Sequence, residues 1–249
     1  MFPFVSYFTL YLSQMSAQSF RSRNNSTGGE VVELRSSNKS ASSYYEPLFR
    51  DSVDSYMRSV DEVQVQVQQY QYSAQTSVQL ARTLLSSNEV LLNHSEFIMQ
   101  SIATEISMNR ESMANFLLEQ LSSNANRSQY KTDAILDIYN SILNLAKCAT
   151  KLSRFTSLST SGILDHHNLA SEMSLNSSND SDYSKIANFV DYSEALWERA
   201  NRSASATQGV ISGVLVLSQN ALDAYNLSKQ VTDKISSVTN SAAQFGGMN

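Results

Sequence analysis

VQVQVQQYQY, residues 63–72, reads in two ways that lead to different folds. Apolar residues alternating with glutamine suit an edge strand, in which Val63, Val65 and Val67 share one face. The flanks favour the helix. Steps of four and three, the spacing of a helical seam, run without a turn residue through Phe49, Val53, Tyr56, Val60, Val63, Val67, Tyr70, Ala74, Ser77, Ala81, Leu84, Asn88, Leu91, Ser95, Ile98 and Ile102. Only three of these, Ser77, Asn88 and Ser95, are polar, and no Gly or Pro occurs between Leu48 and Ser161.

Beyond Ile102 the seam drifts to Ile106, Met113, Leu117 and Leu121 and meets Ser122-Ser123-Asn124-Ala125-Asn126, a cluster whose side chains compete for backbone hydrogen bonds. A first helix over about 48–121 is expected, with a break near 86–88 (Ser86-Ser87-Asn88) as its weak point. A second, about 129–156, carries Ile135, Ile138, Ile142, Leu145, Ala149 and Leu152. Residues 157–182, with Gly162 and NSSNDSDYS, read as the longest irregular connection. A third helical region over 183–245 has the seam Val210, Val214, Leu217, Ala221, Ala224, Ser228, Val231, Ile235, Val238, Ala242, Phe245, with Gly209 and Gly213 as weak points.

Serine, asparagine and threonine are poor helix formers, so helices of this length must be held by their buried seams. Ladders of Glu and Lys beside the seams are sparse, which favours packing within one chain over a dimeric zipper. The expected fold is all-α: an elongated, antiparallel bundle of long heptad-patterned amphipathic helices with an irregular N-terminal tail. A compact bundle of four or five helices, bent at residues 86–88, is the competing arrangement.

The domain plan places a secretory signal peptide at residues 1–17, a linker or tail at 18–46 and a single bundle domain at 47–249. Met1 to Leu12 (MFPFVSYFTLYL) has the length of a secretory apolar core and falls well short of the ~20 residues of a membrane span. No Lys or Arg precedes it and Met15 fits the cleavage rule poorly, so an apolar terminus that packs on the body is the rival reading. Residues 21–46 mix Ser, Asn and both charge signs around Gly28-Gly29. Pro47 suits the first turn of a helix.

Asn-x-Ser/Thr triplets start at Asn24, Asn25, Asn38, Asn93, Asn126, Asn176, Asn179, Asn201 and Asn226, more than a Ser-rich composition gives by chance. They are N-glycan acceptors if the chain enters the secretory route. A secreted or extracellular location is expected on these grounds, with a cytoplasmic one as the alternative.

Composition and motifs exclude more than they assign. Charged residues are 16% of the 249, against about a quarter in an ordinary domain. A net charge of −5 with scattered Lys and Arg argues against nucleic-acid binding. A single cysteine, Cys148, rules out an internal disulfide framework; beside Leu145, Ala149 and Leu152 it reads as a small buried hydrophobe or, in an oxidising compartment, as an intermolecular disulfide. His166 and His167 beside Asp165 have no further ligand at a recognisable spacing and read as a solvated loop; His94 lies off the seam. The carboxylate pairs Asp51/Asp54, Asp61/Glu62, Asp133/Asp137 and Asp180/Asp182 are local and read as solvated faces. No phosphate-binding loop or nucleophile elbow occurs. Trp197 with Tyr183, Phe189 and Tyr192 forms the densest aromatic group, a core or a partner contact.

The residues therefore point to no catalytic, cofactor or metal site. They point to a non-enzymatic secreted or surface-exposed structural, adhesion or protein-interaction protein, acting on protein partners or on itself through its helices. The same helices would suit a bundle that binds lipid or an apolar ligand, with membrane-surface contact disfavoured by the lack of Lys and Arg on the polar faces. An intracellular coiled-coil scaffold is the remaining alternative.

Overall fold

A computed structural model describes residues 41–175 and 180–246, with side chains placed for 47–175 and 183–245. The unit spanning Ser43–Asn249 is built from three helices: α1 (Ala41–Ser107), α2 (Glu111–Leu175) and α3 (Asp180–Gly246). Each is about 100 Å long at 1.5 Å per residue. The all-α antiparallel bundle of long helices is the observed architecture, with no strand among the described residues.

Packing gives the directions. Near one end Val53 of α1 clusters with Ile163 of α2 and Phe189 of α3. Near the other, Ile98 and Ile102 meet Leu121 and Ala242. As α1 numbers rise, their α2 partners fall and their α3 partners rise, so α2 runs antiparallel to both. Between these ends Ala74, Ala146 and Ala221 are fully or nearly fully buried, and such small residues let the helix axes approach closely. Each fully buried Val, Leu or Ile contributes about 1.5–3 kcal/mol.

The seam of α1 is seated as its spacing predicts: none of its sixteen positions is exposed. Val63 and Val67 are buried whereas Val65 is 54% exposed. That split matches a helix and excludes the strand reading, in which all three would face one way. No break occurs at 86–88; Asn88 lies inside the core.

Helix boundaries differ from the expected ones. The first helix begins at Ala41, within the stretch read as tail, and Pro47 lies inside it rather than in its first turn. It ends at Ser107, not near residue 121. Asn109 adopts φ 54°, the left-handed region that asparagine tolerates best after glycine. Arg110 N–H donates to Glu105 O (2.9 Å) and Asn109 N–H to Ile106 O (3.0 Å), the paired bonds of a Schellman cap. Arg110 O then accepts Ala114 N–H (3.1 Å), starting α2 with Glu111 in its first turn. Three residues thus reverse the chain. Ser122–Asn126, read as a turn, is helical because Asn124 and Ser128 point into the core. Likewise α2 continues past 156 to Leu175, since Thr156, Ser159, Thr160, Ile163 and Ala170 are all core positions. The irregular connection expected over 157–182 shrinks accordingly; residues 176–179 lie outside the described residues, as do residues 1–17, read as a signal peptide, and most of the stretch read as a tail.

Candidate functional site

The least usual feature of the core is a polar layer at the level of Asn88. The Asn88 Nδ2 group donates to Ser228 Oγ (2.7 Å) and Thr132 Oγ1 (3.2 Å) and lies 3.3 Å from Ser128 O. Thr132 and Ser228 hydroxyls meet at 2.7 Å, Thr132 and Thr232 at 2.8 Å, and Ser128 and Thr232 at 2.7 Å. One turn further, Asn124 Nδ2 donates to Ser95 Oγ (3.3 Å) and to His94 Nδ1 (3.2 Å), and Ser95 Oγ–H donates to Leu91 O (2.7 Å). Every helix contributes to this layer. These bonds tie the three helices together at this level, with Asn88 Oδ1 buried and without a partner.

A second cluster sits at the far end. His166 and His167 lie within α2, not in a solvated loop. Adjacent helical residues point about 100° apart, and the two rings diverge to different neighbours. His166 Nδ1–H donates to Gly162 O (2.8 Å), and the ring lies edge-on to Phe49 and Tyr56, centroids 5.6 and 5.8 Å away. His167 Nδ1 meets Ser193 Oγ (3.2 Å), whose own proton goes to Val190 O (2.9 Å). The Tyr56 ring comes so close to α2 that a Cβ on Gly162 would fall 2.8 Å from it. Tyr192 O–H donates to Asp54, and the Arg50 guanidinium lies 4.5 Å over the Tyr192 ring. The Asp54 bond holds the Tyr192 hydroxyl above the usual tyrosine range, with burial adding to the rise.

The remaining candidates separate. Cys148 is exposed, not buried: it lies about 200° around α2 from buried Ala146. Nearby Tyr70 is raised by burial, against the lowering bond from Gln66, with a smaller rise from the Cys148 charge. Lys131 donates to Ser87 Oγ, and burial followed by Arg127 lowers its pKa. His94 is exposed, as expected. Asp61 accepts Arg199 at 2.7 Å, Asp133 accepts Gln129 at 2.8 Å, and Asp51, Glu62 and Asp137 are exposed. The side chains of Asp180 and Asp182 lie outside those described. Among the described residues, no three of His, Cys, Asp and Glu converge on a point that could hold a metal, and no helix is long and apolar enough to cross a membrane. Phe189 is buried, Trp197 and Tyr192 pack against that core, and Tyr183 is exposed. Of the asparagines in Asn-x-Ser/Thr triplets, Asn93, Asn126 and Asn226 are exposed and Asn201 is half-buried; Asn24, Asn25, Asn38, Asn176 and Asn179 lie outside the described residues.

Sequence reasoning missed the outer face of α1. From Val63 to Ala81 no residue is charged. Val65, Tyr72 and Leu80 project from this stretch, Tyr72 being 72% exposed. Val65, Gln68, Gln69, Tyr72 and Ser73 lie side by side on this open, nearly flat face. The signal was present in the opening segment, in the apolar residues that the seam does not use.

No family model and no curated protein matches the chain. Among solved structures it is similar to a computationally designed three-helix bundle, at 12% identity and a TM-score of 0.50, over 82% of this chain and 96% of that one. That likeness concerns the fold alone, and it agrees with the helix packing above: the chain folds as a three-helix bundle.

Proposed function

We propose that this is a non-enzymatic structural or adhesion-type protein, secreted or surface-exposed, that binds a protein partner through the outer face of α1. The uncharged stretch around Tyr72 carries the reading. The bundle satisfies its seams internally, so Val65, Tyr72 and Leu80 take no part in holding the fold. An exposed tyrosine among amides and hydroxyls offers apolar area plus one hydroxyl, the chemistry enriched at protein interfaces and depleted of charge at their centres. Helices that lie on lipid carry Lys and Arg along the polar face, and this stretch has none. The apolar start and the sequon excess support the compartment.

The test is binding of labelled protein to intact cells of its source, comparing wild type with Tyr72→Arg, before and after surface proteolysis. Saturable, protease-sensitive binding that the substitution weakens by roughly tenfold or more is expected. Equal binding by both proteins, or co-flotation with protein-free liposomes at low salt, contradicts the reading.

A further inference from the structure

We propose that Asn93 and Asn126 are N-glycan sites, each built with an aromatic platform, Phe97 and Tyr130, on which the first sugar rests. The inference rests on the secreted reading above and goes beyond it in assigning particular residues. All four sequons with described asparagine side chains share one design. Their third residues, Ser95, Ser128, Ser203 and Ser228, are buried, while the asparagine two positions earlier is turned about 200° away. Ser95, Ser128 and Ser228 belong to the polar layer; Asn93 and Asn126 stand at nearly the same level on α1 and α2, with Asn226 about 12 Å away along α3.

Two of the three have a second feature. Phe97 follows Asn93 by four residues and is 66% exposed; Tyr130 follows Asn126 by four and is 77% exposed. Side chains at i and i+4 lie about 5–6 Å apart on a helix, and the later one leans back over the turn of the earlier. Each ring is therefore placed against the first sugar linked to its asparagine, whose C–H face can cover it. Asn226 has Gln230 at that position and serves as an internal control. Asn93 lies about 30 Å along α1 from Tyr72, which leaves the proposed docking face clear.

The chemistry also fixes the timing. Transfer forms a bond between the asparagine amide nitrogen and the anomeric carbon of an oligosaccharide carried on a lipid diphosphate. The carbon–oxygen bond to the diphosphate breaks, the diphosphate leaves with the electron pair, and one amide proton passes to base. Recognition requires the hydroxyl at the third position, which the folded bundle buries, so modification precedes docking of the helices.

The test is expression of the full chain in eukaryotic cells behind a heterologous secretory leader, with glycopeptide mapping and thermal unfolding before and after enzymatic removal of glycans. Asn93 and Asn126 are expected to be occupied. Removing each glycan should lower Tm by about 2–4 °C in the wild type and by nearly nothing in Phe97→Ala and Tyr130→Ala respectively. Bare Asn93 and Asn126 in the exported protein, or equal Tm shifts in wild type and alanine variants, overturns the proposal. A parallel expression with the protein's own N-terminus separates the two readings: retention there, with both sites occupied behind the heterologous leader, defeats the compartment reading and sustains the glycan seats.

Discussion

Asn88 and Ser228 are 140 residues apart in the chain, and the amide of one donates to the hydroxyl of the other at 2.7 Å inside the core. With Thr132 between them this ties α1, α2 and α3 at one level. The layer is costly: Asn88 Oδ1 is buried and accepts no hydrogen bond from a protein group, a penalty of about 1–3 kcal/mol. Leucine at these positions would avoid that cost. A seam of alanine and valine repeated over dozens of residues could slide by a heptad and still bury apolar surface, whereas the polar groups meet in one alignment only. The layer therefore sets register.

Glycines separate close contact from open space. At Gly162 a Cβ would fall 2.8 Å from the Tyr56 ring, which belongs to the packed end of the core. Gly162→Ala must push the half-buried Tyr56 ring aside, an overpacking cost of about 1–3 kcal/mol offset by about 1 kcal/mol of helix propensity, so a net loss of up to about 2 kcal/mol is expected. At Gly209 nothing lies within 4 Å, so Gly209→Ala should stabilise it by about 1 kcal/mol through helix propensity alone. Urea unfolding of the two variants checks both signs.

Alkaline pH should weaken the bundle. The Asp54 bond and burial raise Tyr192, and burial raises Tyr70, so the folded protein keeps phenolic protons that the unfolded chain loses from about pH 10 upward. Their stabilisation is complete below pH 10 and is lost as pH climbs through the raised values. Lys131 acts in the opposite sense: its lowered pKa leaves the folded state with fewer protons than the unfolded state just below about pH 10.4, so stability rises across that window. Urea midpoints should therefore fall above pH 10, and Tyr192→Phe should flatten that fall. An unchanged slope in the variant would show that the Asp54 bond does not govern it.

Cys148 should react as an open thiol. It is exposed on α2, so a maleimide should label the native protein within a few-fold of the rate in denaturant, and labelling should leave the thermal midpoint unmoved. Protection in the native state would place the side chain inside.

The sequence carried the seams well and the boundaries poorly, for one reason. Val63, Val67, Ile135, Ile235 and their neighbours announce buried faces by spacing, and the structure buries them. In an ordinary chain a run such as Ser122–Asn126 marks a turn because its hydroxyls and amides prefer water or local backbone. Here Asn124, Ser128, Thr132, Thr156 and Thr160 are themselves core residues, so polarity no longer signals exposure. The true reversal at Met108-Asn109-Arg110 has no Gly or Pro; its cue was Asn109, able to take positive φ, one residue before an Arg-Glu helix start. Cys148 was misread because two seam residues, Leu145 and Ala149, flank it in sequence while the helix turns it outward. The face around Tyr72 was legible in principle, since whatever a seam does not use must point elsewhere.

The central claim is that one chain closes its own bundle through the Asn88 layer, leaving the outer faces free. A double-mutant cycle on Asn88→Ala and Ser228→Ala, read by urea unfolding, tests it most directly. The account predicts a coupling free energy of about 0.5–3 kcal/mol between these two distant positions. Additivity within about 0.3 kcal/mol would mean that Asn88 and Ser228 do not meet, and would contradict it.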